Sequence, residues 1–202
     1  MLVIFTSDYG DNIGRHGILH KGNAVWILTE NPPGTKNVPA AHRPNMFDTS
    51  LRVPAVIRWS KAIPAGKIVS RTITHLDWFP TLLEATGVAL PAGTTIRGRS
   101  VLKMLRGEGT FDRSDDLYTE FSVQHTMRAD MRSYRTSEWK LKRDFLNADR
   151  DELYDLRNDP GETTNLATSD RPEAKAAFAK LSKLIRQRMA ELGDPVGKTQ
   201  GD

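Results

Sequence analysis

The chain opens Met1-Leu2-Val3-Ile4-Phe5-Thr6-Ser7-Asp8-Tyr9-Gly10-Asp11-Asn12. Leu2 to Phe5 is an unbroken apolar run rich in strand formers, and it stops abruptly at a cluster of turn-forming residues. A run without alternation predicts a strand covered on both faces, as inside a parallel sheet. Such a strand needs neighbours, so either later strands flank it or a front half of the protein precedes it. In open α/β sheets ligands sit beyond the carboxyl ends of the strands, which puts Asp8 where site residues gather. A carboxylate there can ligate a hard cation such as Ca²⁺ or Mg²⁺. It can equally cap the following turn through its own backbone.

Working outward, residues 13–22 are punctuated by glycines and read as a loop over the strand end. This loop carries His16 and Lys21. A lysine can hold an anionic ester oxygen as a point charge, and a histidine can donate a hydrogen bond or act as a general acid. Either residue type is also an ordinary surface group. Residues 29–45, with Pro32, Pro33, Gly34, Pro39 and Pro44, read as a long surface excursion. Leu51–Trp59 reads as a second strand, with Pro54 at an edge or at the strand start. Asp77 is a suitable N-cap for a helix over Trp78–Thr86, with Gly87 beyond its end. Trp78, Leu82 and Ala85 would form its buried face. Ser100 is placed to cap a short helix through Leu105.

The character then changes. Leu117–Phe121, Met131–Thr136, Trp139–Phe145 and Glu152–Leu156 read as short strands, with a tight turn at Ser137-Glu138. Asn158-Asp159-Pro160-Gly161 is a turn, with glycine free to take positive φ. Ser169 or Asp170 caps a last helix with Pro172 in its first turn. Its apolar positions Ala177, Phe178, Leu181, Leu184, Ile185, Met189 and Leu192 keep helical spacing. Residues 111–202 are therefore expected to form a small antiparallel sheet with a helix packed on it. Trp59, Trp78, Phe79 and Trp139 are expected in the core.

Composition narrows the function classes. The 202 residues are 38% hydrophobic and 27% charged, the profile of a globular protein and not of a disordered chain. There is no cysteine, which excludes disulfides, thiolate metal sites and a cysteine nucleophile. No apolar run approaches the roughly 18 residues of a spanning helix, and the first residues lack the basic segment of a signal peptide. The net charge of +4 is mild and suits an anionic partner. No block of five Lys/Arg and no RNA-binding aromatic signature accompanies it, so neither nucleic acid nor membrane is the expected partner.

Several segments together resemble the sulfatase family. Phe5-Thr6-Ser7-Asp8-Tyr9-Gly10, His16-Gly17 and Lys21-Gly22 are similar to its metal- and sulfate-binding stretch. Ser50-Leu51-Arg52-Val53-Pro54 is similar to its Ser-Leu-Arg-Val-Pro strand, and His75-Leu76-Asp77-Trp78-Phe79-Pro80-Thr81-Leu82-Leu83 to its Asp-x-x-Pro-Thr-Leu helix. Gly98-Arg99-Ser100-Val101 follows. Trp139-Lys140-Leu141, Glu152-Leu153-Tyr154-Asp155-Leu156 and Asn158-Asp159-Pro160-Gly161-Glu162 through Asn165-Leu166 resemble the C-terminal ending. The segments keep the family's order over nearly the whole chain.

The resemblance implies an α/β fold: part of an alkaline-phosphatase-like sheet sandwich over residues 1–110, and a small C-terminal α+β subdomain over 111–202. It implies sulfate-ester hydrolysis using calcium and a formylglycine made within a Cys/Ser-x-Pro-x-Arg motif. Asp8 would be a calcium ligand, Lys21 would contact the sulfate and His16 would line the pocket. The partner would be a sulfated small molecule or glycan. Export to the periplasm or outside the cell is expected only if an upstream signal peptide exists. Two departures stand out. Tyr9 occupies the position where the family has His or Asn, with Asp11 and Asn12 the nearest substitutes. The nucleophile motif is absent from this sequence, so the chain reads as the C-terminal portion of such an enzyme, inactive by itself. A binding remnant for sulfated ligands and a phosphoryl-transfer relative on the same fold are the alternatives.

Overall fold

The computed structural model describes residues 1–21, 33–109 and 114–198. Gly22, the first residues of the 29–45 stretch and the 110/111 boundary lie outside the described residues. The chain divides into two compact units, one of residues 1–8 and 54–115, the other of residues 9–53 and 116–202.

In the first unit, β1 (Val3–Thr6) pairs antiparallel with β2 (Ala55–Arg58), Ile4 opposite Ile57 and Phe5 opposite Val56. The expected parallel, doubly covered strand is not what this chain shows. Phe5 is 68% exposed and Val3 43% exposed, so one face of β1 is open. An apolar run records that a strand can be buried, but its composition carries no information on which neighbour it takes. On the other face of the pair, Ile57 of β2 packs against Val101, Met104 and Leu105, together with Ile63, Val69, Ile73 and Trp78.

The first long helix, α2 (His75–Thr86), starts three residues before the expected point. Thr74 is its N-cap and Asp77 is the third residue of a reciprocal capping box. Asp77 is fully buried and accepts hydrogen bonds from the Thr74 N–H (2.8 Å) and the Arg99 N–H (3.0 Å). Thr81 donates its hydroxyl to the Asp77 carbonyl and accepts from the Val101 N–H. The buried face of α2 is thus Asp77, Pro80 and Thr81, while Leu76, Phe79 and Leu82 are exposed. Of the expected face, Trp78 packs against the Val101, Met104 and Leu105 cluster while Leu82 is exposed; Asp77 and Thr81 are buried because the backbone of residues 98–101 needs polar partners. Gly98 permits the approach: a Cβ there would lie 1.8 Å from the Leu76 carbonyl oxygen. The short helix α3 (Leu102–Arg106) is preceded by Val101 at the cap, with Ser100 Oγ accepting the Leu102 N–H.

The second unit begins with the 9–21 loop and the four-residue helix α1 (Asp48–Leu51). The expected strand over Leu51–Trp59 is therefore split. Pro54 holds Val53 out of helical geometry, ends α1 and confines strand structure to the residues after it. Then come β3 (Leu117–Gln124), β4 (Arg128–Arg135), β5 (Trp139–Asp144) and β6 (Glu152–Asp155) in one antiparallel meander. Thr136 closes the β4–β5 turn, its hydroxyl oxygen accepting the Trp139 N–H. The 33–45 stretch is only partly a surface excursion. Val38 is fully buried and the Asn37 carbonyl accepts the Arg128 N–H at 2.7 Å.

The last helix, α4 (Pro172–Leu192), lays Ala174, Ala177, Leu181, Ile185 and Met189 on Trp139, Leu141, Phe145 and Leu153. It is flanked by Arg171, neither Ser169 nor Asp170 serving as the cap, since proline in the first turn needs no donor partner. Past Gly193, Asp194 forms a buried two-pronged pair with Arg132 of β4 at 2.5 and 2.9 Å. In the turn after β6 the positive φ falls on Glu162 (55°) and not on Gly161.

Candidate functional site

The loop over residues 9–21 is organised from its buried residues outward. Ile18 is fully buried and packs with Phe47, Tyr154 and Leu156. Asn12 is 2% exposed, with its amide donating to the His20 carbonyl (2.6 Å) and Ser50 Oγ (2.9 Å). Its side-chain oxygen accepts the Thr49 hydroxyl. Asn12 is therefore committed to the protein interior and is not a substitute metal ligand. Gly10 donates its N–H to the Ser50 carbonyl at 2.9 Å, and a Cβ there would lie 2.1 Å from the Thr49 carbonyl oxygen. Only glycine fits so close an approach.

Lys21 ends the described part of this loop. Its carbonyl accepts from the Asn45 amide at 2.9 Å, and its ammonium lies 3.7 Å over the Tyr9 ring. Tyr9 thus serves as a platform for the loop cation. His16 adopts a left-handed backbone conformation (φ 55°) and stacks on Phe47, ring centroids 3.6 Å apart and 6° from parallel. Its Nε2 is buried with no hydrogen-bond partner among the described residues. Burial, then the charge of Arg43, holds its pKa below the usual histidine value. The neutral ring is therefore the form favoured near pH 7, which suits a hydrogen-bonding role better than proton donation.

Asp8 stands apart from these two in the division of the chain: it closes the first segment of the first unit, whereas His16 and Lys21 belong to the second. It is exposed and takes one hydrogen bond among the described residues, from Ser7 Oγ at 3.3 Å. His75, also exposed, reaches the carbonyl of Ser7 with Nε2 at 2.9 Å. Among the described residues no group of three or more His, Cys, Asp and Glu is placed to hold a metal ion.

Behind α1 lies a charged cluster that sequence reasoning did not single out. Lys140 and Glu162 are both 2% exposed at the side chain, and the Lys140 ammonium is 2.6 Å from Glu162 and 2.7 Å from Asp48. Glu162 also accepts the Asp48 N–H, and Arg135 reaches Asp48 at 3.0 Å. Lys140 with Arg135 holds the Asp48 carboxyl below its ordinary pKa even against burial. Burial pushes Glu162 up. A sequence signal for the cluster existed, since Lys140 and Glu162 both sit inside segments that carry the resemblance.

Residues 42–192 match the family described as N-sulphoglucosamine sulphohydrolase, C-terminal. The chain belongs to the sulfatase family. Over 197 residues it is 28% identical to the N-acetylglucosamine-6-O-sulfatase of Bacteroides thetaiotaomicron, covering 94% of this chain and 29% of that enzyme. A structure solved with its substrate D-glucosamine-2-N,6-O-disulfate is 26% identical, with TM-score 0.73, covering 98% of this chain and 36% of that one. The phosphonate monoester hydrolase of Agrobacterium radiobacter is 25% identical with TM-score 0.68, over 94% of this chain and 35% of its own. This sulfatase chain thus spans little more than a third of the length of the solved structures it matches. Its fold is the expected α/β one, part of an alkaline-phosphatase-like sheet sandwich with a C-terminal helix-on-sheet subdomain. Asp8, His16 and Lys21 precede the stretch that matches the family description.

Proposed function

We propose that this chain is the C-terminal portion of a sulfuric ester hydrolase acting on a sulfated sugar or small molecule. The family match over residues 42–192 carries this reading, and the disulfated glucosamine held by a 26% identical structure supports the substrate class. In this reading Lys21 meets the sulfate as a point charge and neutral His16 lines the same pocket. The parent's catalytic domain would run to residue 110 and its small subdomain from 111. No membrane or nucleic-acid partner is proposed, and no described helix is long and apolar enough to cross a membrane.

Calcium enters only as a contribution from outside this chain's means. Such an ion takes six to eight oxygen ligands. Exposed Asp8 fits as one of them, its carboxylate taking among the described residues one hydrogen bond, from Ser7, but the described residues do not make a calcium site. With no cysteine and no Cys/Ser-x-Pro-x-Arg motif, a formylglycine must likewise come from elsewhere. The purified chain should show no turnover of 4-nitrophenyl sulfate, and turnover above the buffer rate overturns the proposal. A protein extended to the length of its relatives, with the nucleophile motif restored, should hydrolyse a sulfate ester. The similarity to a phosphonate monoester hydrolase favours one second reading, a phospho- or phosphonoester hydrolase. Hydrolysis of phenyl phosphonates but not aryl sulfates by the extended protein would establish it.

A further inference from the structure

The Lys21 cation is set from behind by three buried side chains. Asn45 is 6% exposed and its amide is fully used. It donates to the carbonyls of Lys21 (2.9 Å) and Arg43 (3.3 Å), and its oxygen accepts the Phe47 N–H (3.2 Å) and the Ser50 hydroxyl (2.8 Å). Ser50 Oγ in turn accepts from Asn12, whose amide also holds the His20 carbonyl at 2.6 Å. Two consecutive carbonyls, of His20 and Lys21, are therefore pinned by two buried amides joined through one hydroxyl. The two carbonyls lie in the two peptide planes that meet at the Lys21 Cα, so pinning both sets the direction in which the Lys21 side chain leaves the backbone. The far end of the loop is tied to the same residue, because the N–H of Gly10, next to Tyr9, donates to the Ser50 carbonyl at 2.9 Å.

We propose that Asn45, with Ser50 and Asn12 behind it, is the positioning group that places the Lys21 ammonium over the Tyr9 ring for anion binding. This rests on Lys21 being the anion contact. None of the three needs to touch the anion. They act through the main chain of residues 20 and 21, a segment that forms no helix or strand. Such a segment has no regular hydrogen-bond ladder to hold it, so side-chain amides set its geometry.

The test uses the full chain, isotopically labelled, with inorganic sulfate as the probe. An ammonium stem over an aromatic face has its ε-CH₂ protons shifted upfield by the ring, so the Lys21 ε-CH₂ signal reports the cation's place. The Trp139 indole signal reports the folded second unit. Asn45→Ala should return the Lys21 signal toward its free value with Trp139 unchanged. It should also weaken sulfate binding about fivefold, the factor one ordinary hydrogen bond commands. Ser50→Ala, the milder change, should act in the same direction and decides the matter if Asn45→Ala does not fold. An unmoved Lys21 signal in a folded variant overturns the proposal. So does a moved signal with unchanged sulfate affinity when Lys21→Ala abolishes binding. If Lys21→Ala itself leaves binding intact, the assignment of Lys21 as the anion contact fails, and the Lys21 signal still decides whether Asn45 places the cation.

Discussion

Replacing Lys140 by methionine should unsettle the second unit more than any surface charge could. The ammonium is 2% exposed and faces two carboxylates, Glu162 at 2.6 Å and Asp48 at 2.7 Å. Asp48 keeps Arg135 when Lys140 is removed, but Glu162, 2% exposed, loses its counter-charge. Stranding one member of a buried pair costs about 3–5 kcal/mol, against about 0–1 kcal/mol for an exposed pair. For a chain of this size each kcal/mol moves the melting temperature by about 2–4 °C, so the drop should be about 6–20 °C. The pH dependence carries a definite sign. Burial already raises the folded pKa of Glu162, and Lys140 is the charge that pulls it down. In the variant that pKa rises further, so the penalty on the ionised form is absent below the unfolded value, builds as pH rises above it and is complete above the folded one. Urea unfolding followed at 222 nm should therefore show a larger deficit at pH 7.5 than at pH 4.5. The double variant Lys140→Met/Glu162→Gln, with no stranded charge, should recover about 2 kcal/mol. A deficit below about 1 kcal/mol, or one that does not change with pH, would mean that Glu162 is not left as a stranded buried charge.

Two further changes probe the ties within each unit. Asp194→Asn breaks the two-pronged pair with buried Arg132 and should cost about 3–5 kcal/mol at pH 7. The Arg132 hydrogen bonds hold the Asp194 carboxyl below its ordinary pKa, so its contribution is present above the unfolded value and is lost as pH falls through the folded one. The gap between variant and wild type, read by urea melts, should accordingly close toward pH 3. Gly98→Ala forces a Cβ into the Leu76 carbonyl and should cost about 1–3 kcal/mol, loosening hydrogen-exchange protection at Arg99 and Val101 first.

Sequence made the C-terminal part of the fold readable. The β4–β5 turn, the four strands and the α4 stripe follow from patterns that depend on near neighbours alone. Strand neighbours and helix faces were harder. β1 is apolar whichever strand it pairs with, and α2 turns Asp77 and Thr81 inward because a distant segment needs their oxygens. The candidate site divides the same way. Lys21 and His16 were visible as residue types on a glycine-rich loop, and so was Asp8 at a strand end. Asn12, Asn45 and Ser50 were not, since an amide's role is set by which carbonyls face it, and that is a tertiary fact. The segments that carried the resemblance largely hold one another: Asp77 bonds Arg99, and Lys140 bonds Glu162.

The helix α1 has four residues, too few to persist on its own. What orders it comes from later in the chain: Asp48 is held by Lys140, 92 residues on, and by Glu162, 114 residues on. Ser50 of this same helix holds Gly10 at one end of the loop directly, and it joins the Asn12 and Asn45 amides that pin the His20 and Lys21 carbonyls at the other. During synthesis the loop therefore leaves the ribosome early but is set late. Its geometry waits for β5 and the turn after β6, so a nascent chain stopped short of Glu162 would carry every residue of the loop without its shape.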